Sequence, residues 1–99
     1  MNTNKLLYSE CIRIYNVEST FIDSLSESGL IHVVSQDEER YIDYEELPKL
    51  EQFMRWYYDL DINIEGIEAL NYLLEKVKSL QEEIQQLKNE LRFYKSLFP

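Results

Sequence analysis

The clearest pattern along this chain of 99 residues lies towards its C-terminal end. Leu70, Leu73, Val77, Leu80, Ile84, Leu87, Leu91, Tyr94 and Phe98 follow one another in alternating steps of three and four. Apolar a and d positions sustained over about four heptads predict a long amphipathic helix built to pair as a coiled coil. At roughly 1.5 Å per residue the stripe runs for about 43 Å. The short helices of one small domain cannot cover that length, so a second copy of the chain is the expected partner. In this homodimer Leu73, Val77, Leu80, Ile84, Leu87, Leu91 and Tyr94 form the dimerisation seam. Val77 and Ile84 at a, with Leu80 and Leu87 at d, suit a parallel two-stranded coil. Glu83 facing Lys88, and Glu90 facing Lys95, agree with that orientation. Each such pair is worth only about a few tenths of a kcal/mol.

The patterned segments upstream are shorter. Cys11, Ile12 and Tyr15 fall at helical spacing and predict a helix from about Ser9 to Tyr15. Asn16 follows as a turn residue that tolerates the left-handed region, and Val17 reads as buried. Thr20-Phe21-Ile22-Asp23 fits a capping box that opens a second short helix, apolar at Phe21, Ile22 and Leu25 and closed by Gly29. Two short helices joined by a tight turn make a helix-turn-helix unit. Ile31-His32-Val33-Val34 and Tyr41-Ile42-Asp43-Tyr44 flank the polar stretch 35–40, which predicts a small hairpin, or wing. Asp43-x-x-Glu46 opens a third helix near Pro48, with Leu47, Leu50, Phe53, Met54, Tyr57 and Leu60 as its buried stripe. Asn63 caps the fourth and longest helix. The expected architecture is mainly α, with residues 6–62 as a winged helix-turn-helix domain and 63–99 as a coiled-coil dimerisation helix.

Charge changes this picture. The net charge is −9, and nine acids against one base, Arg40, fall within residues 17–46. A surface of that sign repels nucleic acid and anionic membrane and attracts basic partners, although acids also serve simply to keep a small domain soluble. The expected second helix offers Asp23 and Glu27 and no base; the wing offers Asp37, Glu38 and Glu39 beside Arg40. These five acids are the candidate partner-binding residues. Trp56 joins them as an aromatic anchor, with Tyr57, Tyr58 and Ile62 as further candidates, because their helix cannot bury every aromatic on one face.

No apolar run approaches the length of a membrane span, the N-terminal stretch lacks the pattern of a secretion signal, and a single cysteine forms no internal disulfide. A cytoplasmic location is expected. Nothing points to catalysis or to a cofactor. Cys11 sits on an apolar helix position, the signature of an inert buried thiol. His32 lies in a strand pattern, no glycine-rich phosphate loop is present, and no cysteines flank the long helix to bind metal. The acid pairs Glu38-Glu39 and Glu45-Glu46 read as solvated residues rather than general acids.

The ordered set of elements resembles the MerR-type winged-helix family. Val17-Glu18-Ser19-Thr20-Phe21 through Ser28-Gly29-Leu30-Ile31 looks like that family's second helix and closing Gly-Leu. Tyr41 through Leu47 looks like the return of the wing and the next helix start, and Leu60 through Ile67 like the junction before the dimerisation helix. Within it the chain is most similar to chaperone modulators of the CbpM type, through Glu10-Cys11, Gly66-Ile67 and the coil around Leu80. The resemblance implies a protein that binds the J-domain of a DnaJ/CbpA-like co-chaperone and inhibits its action with Hsp70. J-domains present a Lys/Arg-rich helix to that chaperone, which an acidic surface could cover. The family also implies an antiparallel helix pair, opposite to the orientation that the charges favour. Two alternatives stand beside this reading: a DNA-binding transcriptional regulator, for which the basic residues that neutralise phosphate are missing, and a generic acidic coiled-coil adaptor.

Overall fold

A computed structural model describes residues 4–98. The chain divides into two compact units, Met1–Glu68 and Ala69–Pro99. Mainly helical, it carries one small antiparallel sheet.

The first unit begins with a strand, β1 (Lys5–Leu7), that runs directly into helix α1 (Tyr8–Tyr15). Asn16 ends α1 in the left-handed region, φ 55° and ψ 49°, as its side chain permits, and Val17 is buried behind it. Helix α2 (Ser19–Glu27) presents Phe21, Ile22 and Leu25 to the core. It closes on a Schellman motif: the Gly29 N–H donates to the Ser26 carbonyl at 3.1 Å and the Leu30 N–H to the Leu25 carbonyl at 2.9 Å. Gly29 takes φ +76°, where a side chain would be strained.

The wing is a hairpin of β2 (Val33–Gln36) and β3 (Glu39–Asp43), with Val33 opposite Ile42 and Gln36 opposite Glu39. Its two-residue turn, Asp37-Glu38, has both residues at positive φ, 52° and 67°. That is the signature of a type I′ turn, whose twist matches the flanking strands. Strand β1 pairs with the other edge of β3, Leu6 opposite Ile42, so the wing is the outer part of a three-stranded sheet in the order β1-β3-β2. Ile42, on the central strand, is fully buried. Ile31 and His32 precede β2 rather than belonging to it, and Tyr44 lies beyond β3.

The path onward departs from the expected single helix. A 3₁₀ turn (Tyr44–Glu46) leads into α3 (Leu47–Met54), Pro48 sits in the first turn of that helix, and α3 runs on into a π-helical turn (Arg55–Asp59). Beyond Leu50 and Phe53 the buried face continues at Trp56, which is 8% exposed, while Leu60 is 62% exposed. Tyr57 is half-buried. The stripe drawn through Tyr57 and Leu60 is therefore corrected: Trp56, three residues after Phe53, takes the buried position.

Two further local readings change. Neither α2 nor the turn before α3 has a side-chain cap. The helix begins at Ser19, one residue before the expected cap, and the Thr20 hydroxyl donates to Glu18 at 3.4 Å. Glu46 instead accepts from the His32 N–H at 2.9 Å and pairs with Lys49 at 3.5 Å, tying the start of the wing to α3. The Asn63 cap is as expected: its Oδ1 accepts from the Gly66 N–H at 2.8 Å. A Cβ on Gly66 would lie 2.8 Å from Ile62 Cγ2 and 3.1 Å from that capping oxygen, which is why glycine stands there.

Helix α4 (Ile64–Leu97) starts in the first unit, where Ile67 is fully buried, and supplies the whole regular structure of the second. Its 34 residues make it about 51 Å long at roughly 1.5 Å per residue.

Candidate functional site

The acids singled out from the sequence are not equivalent once folded. Asp37, Glu38 and Glu39 are exposed at the wing tip, and Glu27 is exposed at the end of α2. Asp23 is occupied. It accepts a hydrogen bond from the Tyr8 hydroxyl at 2.6 Å, and the Arg40 guanidinium lies 3.2 Å from the same oxygen. Arg40 also sits over the Tyr8 ring, 3.7 Å from its centroid, in a cation–π contact. The Tyr8 hydroxyl lies 3.1 Å from the Ser19 carbonyl as well. Burial, together with the adjacent Asp23 carboxylate, raises the Tyr8 pKa above its ordinary value.

This cluster joins α1, α2 and β3 through side chains far apart in sequence. Its effect on charge is direct. The one base of residues 17–46 is engaged on the protein's own surface, and one of the nine acids is engaged with it. Beside this half-exposed pair, the wing and the end of α2 offer Glu27, Asp37, Glu38 and Glu39 outward, a surface that is predominantly acidic.

Trp56 does not join that surface. Its ring lies 5.7 Å from Phe53 within the core, so its place as an exposed anchor is corrected. The neighbouring tyrosines are better placed. Tyr57 is half-buried and Tyr58 is 44% exposed, with rings 4.6 and 5.3 Å from the buried Phe21. They meet each other edge to face at 5.0 Å. The π turn presents them side by side, an arrangement that the sequence alone does not signal.

The second unit carries the other candidate surface. Leu73, Val77, Leu80, Ile84, Leu87, Leu91 and Tyr94 are all between 46% and 61% exposed along α4. Their side chains form one apolar stripe with no covering element in their own unit. Tyr94 and Phe98 stack at 4.9 Å near the end of the stripe.

Cys11 is fully buried, and burial pushes its thiol up to about 11, far from the thiolate form at neutral pH. Tyr15, which donates to Glu51 at 2.7 Å, is raised to about 12 by burial and by that carboxylate. Among the described residues no group of three or more His, Cys, Asp or Glu side chains could hold a metal ion. No helix among them is long and apolar enough to cross a membrane.

No curated protein and no solved structure matches the chain. A family model does. Residues 6–89 match the model described as MerR HTH family regulatory protein, a span from β1 through most of α4. The helix-turn-helix and the wing fall inside that span together with most of the long helix, and this chain belongs to the MerR helix-turn-helix family of regulatory proteins.

Proposed function

We propose that this protein is a chaperone modulator: a homodimer, held by a coiled coil of its long helices, that binds the J-domain of a DnaJ/CbpA-like co-chaperone and blocks its work with Hsp70. One observation carries the reading. The wing and the end of α2, where a DNA-reading relative needs Lys or Arg, expose four carboxylates against one base, Arg40, and that base is paired with Asp23 and set over the Tyr8 ring. Such a surface opposes a phosphate backbone and complements the basic helix of a J-domain. Complementary charge speeds encounter and selects the partner; no catalytic step is needed, because a covered helix is unavailable to the chaperone. The dimer would present two such surfaces from one stalk.

Binding of the purified protein to an isolated J-domain, followed by surface plasmon resonance, tests this. Binding should weaken as salt rises, and reversing Asp37, Glu38 and Glu39 to Lys should slow association by about tenfold. Asp23 is a poor choice for reversal, since its loss would also undo the Arg40 contact. The family also favours a second reading, a DNA-binding regulator. A tight, sequence-selective shift of promoter DNA at physiological salt, with no J-domain binding, would establish that one instead.

A further inference from the structure

Two adjoining cavities open on the first unit where α2 ends and α4 begins. One, about 300 Å³, is walled by Ser24, Glu27, Ser28 and Glu65; the other, about 330 Å³, by Tyr58, Asp61 and Ile62. Tyr57 and Asn63 belong to both, so the two form one trough. Each half is at the small end of ligand pockets, suited to side chains rather than to a whole cofactor.

The lining has a definite chemistry. Polar groups share it with two aromatic rings, and those rings, of Tyr57 and Tyr58, pack against Phe21 and each other. Tyr faces attract cations. Apart from the tyrosines, every ionisable group of the lining is a carboxylate: Glu27, Asp61 and Glu65. None of the three has an ion-pair partner among the described residues. Another cavity of this unit, which also has Tyr58 in its wall, differs in its charged groups. About 430 Å³ in volume, it has Arg55 in its wall, and its Glu51 is already bonded to Tyr15.

We propose that the trough of Tyr57, Tyr58, Glu27, Asp61 and Glu65 is a docking seat for a Lys/Arg-rich helical segment of a partner protein. Cationic heads meet the three carboxylates while their aliphatic stems lie on the tyrosine rings. This rests on the reading that the chain binds a basic protein partner, and it names the seat. The division of labour follows: exposed wing acids steer the approach, and the trough holds the bound segment. Charge at a rim acts mainly on association, and packed, desolvated contacts act on dissociation.

The experiment uses the full chain and two probes, an isolated J-domain and a synthetic Lys/Arg-rich amphipathic helical peptide. The variant E27Q/D61N/E65Q keeps side-chain shape, and Asn at 61 keeps the left-handed backbone that Asp61 adopts at φ 57°. A second variant, Tyr58→Leu, keeps the charges and removes the ring. Peptide binding to the labelled protein should perturb the amide resonances of residues 57–65 saturably. Both variants should accelerate dissociation, the triple one by about tenfold or more, with unchanged circular dichroism. Peptide shifts confined to the wing, or unchanged dissociation in both variants, would overturn the seat. A J-domain that binds only through the wing keeps the proposed function and removes the trough. A J-domain that fails to bind while the peptide still occupies the trough does the reverse.

Discussion

The two units of this molecule use the same apolar side chains to opposite ends. In the first, Ile22, Leu25, Ile42, Leu50, Phe53 and Ile67 are essentially inaccessible, and the loops between them are tied by specific backbone and side-chain bonds. In the second, leucines, a valine and an isoleucine of comparable size stand about half exposed along one helix. The first unit completes its own core. The second has a stripe that only another surface can complete, since helix stability in water rests mainly on tertiary packing of the apolar face. Hydrophobicity alone does not separate these cases; what separates them is whether neighbouring elements exist to meet the residue.

The largest test of that contrast removes a core ring. Phe53→Ala should cost the first unit about 3–5 kcal/mol by leaving a cavity. Urea unfolding followed by tryptophan fluorescence measures this through Trp56, which lies against Phe53. The complementary cut is Ile84→Lys on the exposed stripe. It should weaken self-association about a hundredfold, close to 3 kcal/mol, in sedimentation equilibrium. The urea midpoint of the first unit should stay where it was, and a large shift there would show that the two units are not independent.

The smallest effect concerns pH. Burial lifts the Cys11 thiol from an ordinary 9.0 to about 11, so the folded chain keeps a proton that the unfolded chain releases first. Stability from this group is complete below about pH 9 and declines as pH rises to about 11. Tyr15, lifted from 10.0 to about 12, extends the decline. Urea midpoints across that range should fall for the wild type, and the fall should begin later in Cys11→Ala. An unchanged onset in that variant would mean that the thiol is not sheltered.

Much of the fold was legible because its signals are local. The left-handed Asn16, the closing Gly29, the Asn63 cap and the long a/d periodicity each depend on a few adjacent residues, and each is present. The losses share a cause too. Strand β1 is three residues long and exists only because β3 offers an edge. Trp56 takes the buried place expected of Tyr57 and Leu60, a choice between adjacent aromatics that no hydropathy pattern announces. The same holds for the candidate site. The acids were visible as composition, but that Asp23 is occupied by Tyr8 and Arg40 depends on partners 15 and 17 residues away. The trough, too, depends on the π turn that sets two tyrosines beside the start of α4.

The turn at the wing tip bears on any attempt to stabilise this chain. Type I′ turns are ordinarily built from Asn-Gly or Gly-Gly, because both central residues must take positive φ, and here Asp37 and Glu38 do so with full side chains. An engineer following consensus would install Asn-Gly and relieve a backbone cost of about 1–2 kcal/mol per residue. The same repair would strip two exposed carboxylates from the tip of the wing. Robustness and electrostatic reach are set against each other at these two positions, and the natural sequence has kept the reach.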